Sequence, residues 1–442
     1  MNALLLAAVL AAAPTPIQLE EARARSRENT QSLSALLQVA VAEQDVRIAR
    51  SSLLPQVGFQ LGATGVYSGP SRSYNVVPTG DGSYVNIPVP VPESSFVDFG
   101  FGVSIRQLIY DRSIWARLEQ SGAQLESQRG QALEDRDASE QEGIQRFFLL
   151  YRTQATIQVF QANVKRSEEQ LERARALFVA GRVGKAEELA AQVNLGNDRI
   201  AVVARQSQLA TNQVQLATWL ALPGAEEVVA VEPELLHQTP EPVIPLARAL
   251  EEARARRPLL VALREQLRAS ELQESIAHAG FLPQLSLSVD LQRGGPDADT
   301  VFLQPRLQNS VRGGIALSWD LFNGWATTAQ QSRARAQSRV AELNLRQAER
   351  ELEGQVRQAH ATVEAQLVAT ELAEANRKAA ADALALASER FNAGVSSTLE
   401  VRDAQLKLTQ AELTLLENRI DVEIARFALM RAMGTLNPGE AK

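Results

Sequence analysis

None of the 18 prolines in this 442-residue chain lies between Pro92 and Pro223 or between Pro305 and Pro438. Proline lacks the N–H that a helix needs and its ring collides with the preceding turn, so two long tracts without it are free to run as uninterrupted helix. A helix from about Arg112 to Ala180 would extend ~100 Å at a rise of 1.5 Å per residue. Ordinary globular helices are far shorter, so these need support from neighbouring helices rather than from one compact core. Aromatic residues are 5% of the chain against 45% hydrophobic residues overall. With Ala abundant, the helices are expected to pack through small side chains into a long, thin architecture.

The two tracts belong to copies of one unit. Leu54-Pro55-Gln56 recurs as Leu282-Pro283-Gln284 at an offset of 228 residues, GVSIRQLIYDR from Gly102 recurs as GIALSWDLFNG from Gly314 at 212, and FVAGRVGKAEELAAQ from Phe178 recurs as FNAGVSSTLEVRDAQ from Phe391 at 213. The drop from 228 to 212 puts about 16 extra residues between Pro55 and Gly102, and they belong in the Pro-, Gly- and Ser-rich loop from Tyr67 to Ser95. The unit reads helix, strand, loop, strand, long helix, tight turn, helix. It occupies residues 14–222 and again 246–436, with a Pro- and Glu-rich connector over 223–245 and a tail over 437–442.

Each copy holds two segments of period-2 alternation, about 54–66 and 97–109 in the first and about 282–292 and 311–321 in the second. Leu285, Leu287, Val289 and Leu291 alternate with Ser286, Ser288, Asp290 and Gln292, and Val57, Phe59 and Leu61 alternate with Gly58, Gln60 and Gly62. At roughly 10 residues these have the length of tilted strands crossing a membrane, apolar toward lipid and polar toward a wet lumen. Tyr110, Trp115, Phe322 and Trp325 stand where the second strand of each pair ends, as an interfacial girdle would. A soluble sheet with one face on a core explains any single such strand equally well. Four strands cannot close a barrel, and hydrocarbon does not tolerate open edges, so other copies must complete the sheet. The strands alone do not set their number: a dimer, a trimer and a tetramer all remain open. Both ends of each strand pair lead into helices, so the helices emerge on one side of the membrane and the loops Tyr67–Ser95 and Arg293–Asn309 on the other.

The final helix carries two apolar seams. Leu399, Leu406, Leu413, Ile420 and Phe427 form one seven-residue series and Val401, Leu408, Leu415, Val422 and Leu429 another, two positions away. Two positions are about 200° on a helix, so the series face opposite sides and each helix is expected to touch a neighbour on either side, as in a tubular wall. Val193, Ile200 and Val214 repeat one series in the first copy, and Leu195, Val202, Leu209 and Leu216 the other. An ordinary bundle with one wide apolar face is the plainer alternative.

Other classes find little support. A net charge of −7 and a pI near 5.4 argue against nucleic-acid binding. With no Cys there is no disulfide, thiolate catalyst or lipidated N-terminal Cys, and the three His, His237, His278 and His360, lack metal-ligand spacing. No nucleophile motif or phosphate loop is present, so no enzyme and no cofactor is expected. Residues 1–13 read as a signal peptide, with an apolar run from Ala3 to Ala13 that lacks the usual preceding Lys or Arg; the first turns of a buried helix are the alternative. No later segment has the length and apolarity of a transmembrane helix.

Taken in order, LPQ before each first strand, LSWDLFNG ending at Gly324 and RFNAGVSSTLEVRDAQ from Arg390 to Gln405 resemble the TolC-like outer membrane efflux proteins over essentially the whole chain after residue 13. The resemblance implies a mainly α fold with a small membrane β part: a long α-helical barrel plus a transmembrane β-barrel completed by trimerisation. It implies a homotrimer in the bacterial outer membrane, in contact with its lipid, not lipid-anchored and with a long periplasmic extension. Such a trimer serves as the exit duct of a tripartite efflux pump or type I secretion system, with a periplasmic adaptor (membrane fusion) protein and an inner-membrane transporter as partners. On the matching positions, the turns at about 180–185 and 392–397 become the adaptor-docking tip, namely Gly181, Arg182, Val183, Gly184, Gly394, Val395 and Ser396. Glu400, Asp403 and Glu187 become the pore constriction, where symmetry would make rings of carboxylate that favour cations. The sequence departs from the family at Ala190, the uncharged counterpart of Asp403, and at Arg402, which stands between the acids. Acids near a helix N-terminus are also favoured by the macrodipole alone. The rival reading is a periplasmic coiled-coil adaptor or interaction protein without a channel, which would show one helical hairpin within split β-domains rather than two hairpins and membrane-length strands.

Overall fold

A computed structural model describes residues 15–222, 228–238, 242–295, 297–303, 309–393 and 395–437. In chain order the elements are β1 (Thr15–Ile17), α1 (Leu19–Arg27), α2 (Thr30–Ser51), β2 (Gln56–Ser68), β3 (Ser71–Pro78), β4 (Tyr84–Val91), β5 (Ser94–Tyr110), α3 (Arg112–Val179) and α4 (Lys185–Trp219). They continue with β6 (Val228–Ala230), a 3-10 turn (Glu234–Leu236), α5 (Leu246–Arg256), α6 (Pro258–Ala279), β7 (Gln284–Gly295), α7 (Ala298–Phe302), β8 (Asn309–Ser318), α8 (Ala326–Asn392) and α9 (Thr398–Met433). The signal-peptide segment 1–13 lies outside the described residues, as do parts of the connector and of the tail.

The chain forms two compact units, one of Met1–Ala40, Glu126–Glu265 and Glu342–Lys442, the other of Val41–Leu125 and Gln266–Ala341. They do not coincide with the sequence repeats, because each unit takes residues from both copies: strands of one copy pair with strands of the other.

In the second unit the four long strands form one antiparallel sheet in the order β2-β5-β7-β8. Register sorts the residues by face. Phe59, Val103, Leu291 and Val311 lie in one row, beside the row of Val57, Ile105 and Val289. The alternate rows are polar: Gly58, Ser104, Asp290 and Arg312, then Gln60, Gly102, Gln292 and Ser310. The apolar face is largely bare, with Val57 and Ile315 both 69% exposed. Pairings Gln56↔Arg106, Tyr110↔Leu285 and Gln284↔Ser318 bring the four helix-linked strand ends to one end of the sheet.

The LPQ motif has a local cause. Pro283 would be the next partner opposite Trp319, but it has no N–H to offer, so the β7–β8 ladder stops at Gln284↔Ser318. Alternation in the sequence extends this strand to about residue 321, whereas β8 ends at Ser318 and the Trp319 indole N–H donates instead to the Phe281 carbonyl at 3.1 Å.

The segment Tyr67–Ser95, read from sequence as a loop, is a second correction. β2 and β5 run into it from both sides, and within it β3 and β4 form a hairpin closed by Thr79, Gly80, Asp81, Gly82 and Ser83. Its prolines do not break the ribbon. Pro78, Pro88 and Pro90 all fall on one parity of the register, which keeps their missing N–H groups on the outer side of a two-stranded ribbon. In the turn, hydrogen bonds from the Thr79 and Ser83 hydroxyls hold the Asp81 carboxyl down at about 2.

The first unit is helical, with an apolar centre where Ile144, Phe147 and Phe148 of α3 meet Leu216 of α4, Val228 of β6 and Ile420 and Phe427 of α9. β1 pairs in parallel with β6, and the Ala230 N–H donates to Gln154 Oε1 at 2.9 Å, so the connector is strapped onto α3. Beside this core Glu134 sits between Arg257 at 2.7 Å and Arg431 at 3.0 Å. Burial raises the Glu134 carboxyl against the pull of both guanidiniums.

Close helix packing leaves no room for a side chain at Gly130. A Cβ at Gly130 of α3 would stand 2.9 Å from the Ala262 nitrogen and 3.0 Å from its Cβ on α6, whereas one at Gly354 of α8 would meet nothing within 4 Å. Gly130→Val is expected to destabilise the protein by about 1–3 kcal/mol through overpacking, and Gly354→Ala to stabilise it by about 0.5–1 kcal/mol by removing backbone freedom. Thermal unfolding of the detergent-solubilised variants measures both; equal shifts would contradict the close approach.

Candidate functional site

Both long hairpins reverse in turns closed by a backbone bond that spans six residues. At the first, Gly181 has φ +68°, with the Arg182 N–H donating to the Leu177 carbonyl and the Gly181 N–H to the Phe178 carbonyl, both at 2.9 Å. This is a Schellman end, which a residue without Cβ enters at least cost. Val183 and Gly184 complete the turn, and Gly184, with φ −78° and ψ 161°, is the N-cap of α4. At the second, the Val395 N–H donates to the Arg390 carbonyl at 3.0 Å, Ser396 follows, and Ser397 caps α9 by accepting from the Glu400 N–H at 3.4 Å. Gly394 lies outside the described residues.

Glu187 and Glu400 hold equivalent places, each three residues beyond its N-cap, where the dipole of α4 or α9 favours a carboxylate. Their partners differ. Arg390 donates to Glu400 Oε1 at 2.8 Å, a contact within one hairpin. Glu187 instead accepts from the Thr398 hydroxyl, joining the start of α4 to the start of α9. Asp403 pairs with Lys407 at 2.7 Å on an exposed face. Within one protomer the three acids therefore share no partner, although the two hairpin tips stand side by side.

Arg402, which looked like an intruder among the acids, organises this region. Its Nη1 and Nη2 donate to both carboxylate oxygens of Asp198 on α4, at 2.8 and 2.9 Å. The Ser167 hydroxyl on α3 donates to the same carboxylate at 2.5 Å, and Gln405 Nε2 donates to Asn163 Oδ1 at 2.9 Å and to Ser167 Oγ at 3.0 Å. Three helices are thus joined by a largely buried, bidentate, charge-assisted network. A cleft of 330 Å³ opens beside it, lined by Glu187, Ala190, Asn194, Thr398 and Arg402 among others. Sequence reasoning missed Asp198 and Ser167. The one available signal was Arg402 itself, a cation standing between the acids Glu400 and Asp403 and beside the seam residue Val401.

That seam is divided. On α9 Val401, Leu408, Leu415, Val422 and Leu429 are all buried, whereas Leu399 is 76% and Leu406 47% exposed before the second series goes under at Ile420 and Phe427. On α4 Leu195 and Leu216 are buried while Val193, Ile200 and Val214 are exposed. One seam is used inside the protomer and much of the other is bare.

The four aromatic residues flank the helix-linked end of the sheet. Tyr110 ends β5, Trp115 lies in the first turn of α3, and Phe322 and Trp325 meet edge to face at 5.9 Å in the link from β8 to α8. All four are exposed, and Trp325 follows Gly324 into positive φ, at +68°.

Comparison with known proteins adds a family. The family model described as outer membrane efflux protein matches residues 21–222 and 249–435. Outer membrane protein TolC of Vibrio cholerae is 23% identical over 422 residues, covering 93% of this chain and 90% of that protein. Among solved structures, CusC, described with transmembrane channel formation, superposes with a TM-score of 0.78 at 16% identity over 94% of this chain and 92% of its own. The open state of the Neisseria gonorrhoeae MtrE outer membrane channel does so with 0.77 at 17% identity, over 95% and 89%. At such identities the structural likeness carries the fold alone.

Proposed function

The chain belongs to the outer membrane efflux protein family, and from that premise we propose that three copies assemble into the exit duct of a tripartite efflux pump or type I secretion system. The family is one of outer membrane channels rather than enzymes, and this chain is an outer membrane protein. The observation that carries the finer reading is the four-stranded sheet itself. Its apolar face is bare, its other face is polar, and its outer strands β2 and β8 have no further strand partner among the described residues. In a membrane such edges must be paired, and three copies would bring twelve strands, an even number within the range of closed barrels. The exposed seam of Val193, Ile200, Val214, Leu399 and Leu406 supports the same assembly on the helical side. Tyr110, Trp115, Phe322 and Trp325 would then sit at the membrane interface.

In this reading the helical unit is periplasmic. Gly181, Arg182, Val183, Gly184, Gly394, Val395 and Ser396 form the surface on which an adaptor protein docks, with an inner-membrane transporter behind it. Glu187, Glu400 and Asp403 narrow the duct, each repeated by symmetry as a ring that favours cations.

Single-channel recording in a planar bilayer under a KCl gradient tests this. Wild-type protein is expected to give small, cation-selective openings, and Glu400→Ala with Asp403→Ala to widen them and weaken selectivity several-fold. Unchanged conductance in the double variant would move the constriction elsewhere. No conductance from folded wild-type protein would remove the duct.

A further inference from the structure

At the foot of the sheet three helices turn one face each toward a common cleft of 640 Å³. α3 contributes Arg117, α6 contributes Gln273, α8 contributes Gln330, Arg333 and Gln337, and Gln284 opens β7 above them. Every one of these side chains can donate a hydrogen bond, and no Asp or Glu lines the cleft.

The local charges make this composition informative. Arg112 pairs with Glu119 at 3.9 Å and Arg335 with Glu274 at 2.6 Å, and Asp111 Oδ1 accepts from the Ser113 N–H at 2.8 Å. Arg117 and Arg333 are left without an ion-pair partner among the described residues. Gln120 Nε2 donates to Gln273 Oε1 at 3.0 Å, which occupies the acceptor end of that amide and turns its donor end free. Two exposed guanidiniums without an ion-pair partner among the described residues, flanked by amide donors from separate helices, offer a donor set for an acceptor with negative charge.

We propose that this cleft is an anion site that takes a phosphate group, with Arg117 and Arg333 supplying charge-assisted hydrogen bonds and the glutamines completing the donor set. The planar fork of arginine matches the spacing of phosphate oxygens, and two forks on different helices can engage one phosphate from two sides. Gln284 belongs to the polar row of β7, with Ser286, Ser288 and Asp290, so the cleft opens on the polar side of the sheet. That placement favours a phosphate carried by a soluble ion or ester over one on a phospholipid. The site depends on the fold of a single protomer and not on the channel reading.

The test is calorimetric titration of full-length, detergent-purified protein with inorganic pyrophosphate in phosphate-free buffer at low salt. Three proteins are compared: wild type, Arg117→Gln with Arg333→Gln, and Arg199→Gln, which removes an exposed arginine of α4 that does not line the cleft. Wild type and Arg199→Gln are expected to bind alike, with affinity falling as salt rises, and the double variant to bind at least about tenfold more weakly. No heat from folded wild type, or equal binding by the double variant, overturns the proposal. Native mass spectrometry with phosphatidylglycerol against phosphatidylcholine separates the sources. Phosphatidylglycerol adducts that disappear in the double variant assign the site to a lipid headgroup, and adducts unaffected by it leave the site to soluble phosphate. Wild type that binds pyrophosphate but conducts no ions would keep the site and remove the duct.

Discussion

Arg402→Met is expected to lower stability by about 3–5 kcal/mol, the cost of removing one partner from a buried ion pair and leaving the other desolvated. The side chains of Arg402 and Asp198 are 17% and 9% exposed, and the bidentate contact joins α9 to α4 with Ser167 of α3 as third member. Without the guanidinium, the Asp198 carboxylate keeps only the Ser167 hydroxyl. The exposed pair Arg199–Glu168, at 2.7 Å on the same hairpin, is the contrast: Arg199→Ala is expected to cost about 0–1 kcal/mol, because water screens that contact. Removing both buried charges, in Arg402→Met with Asp198→Leu, should recover much of the loss, since neither charge is then stranded. Hydrogen exchange along α4 and α9 reads the effect locally. If Arg402→Met and Arg199→Ala increase exchange alike, the network contributes no more than a surface contact.

Gly434→Ala should cost about 2–5 kcal/mol, combining left-handed backbone strain with overpacking. Gly434 closes α9 at φ +69°, with its N–H on the Arg431 carbonyl and the Thr435 N–H on the Met430 carbonyl, both at 2.9 Å. A Cβ there would also stand 2.8 Å from the Arg256 carbonyl carbon and oxygen and 2.9 Å from the Arg257 nitrogen. Those are backbone atoms at the junction of α5 and α6, held in place by the Arg257 contact with Glu134, so they cannot swing aside. Gly181 separates the two causes. Its φ is +68°, but a Cβ there meets nothing within 4 Å, so Gly181→Ala should cost only about 1 kcal/mol. Equal losses of thermal stability in the two variants would mean that the approach to Arg256 is not tight.

The fold class was legible in the sequence because its determinants are local. Missing prolines permit long helices, LPQ keeps a helix that has just ended from resuming and opens a strand at its Gln, and period-2 alternation describes a sheet with two unlike faces. Each of these acts through a residue's own backbone or its immediate neighbours. The hairpin of β3 and β4 escaped for the same reason, since proline counts locally as a breaker, and only pairing in register reveals that Pro78, Pro88 and Pro90 share the harmless side.

At the tip, the positions of Glu187, Glu400 and Asp403 near helix starts could be read from the chain, but their partners could not. Thr398 lies 211 residues from Glu187, and Asp198 lies 204 residues from Arg402. A charge is satisfied by whatever packing brings within about 3 Å, and a linear pattern carries no record of that distance. The two-seam pattern of α9 shows the division most clearly. Heptad spacing alone makes this helix apolar on two sides, because helical geometry converts seven-residue spacing into faces. Which side is used within the protomer follows from packing between distant helices, which buries Val401 and Leu408 and leaves Leu399 and Leu406 bare. Apolar side chains gain by leaving water whatever covers them, so the choice of cover belongs to the assembled helices and not to the residues.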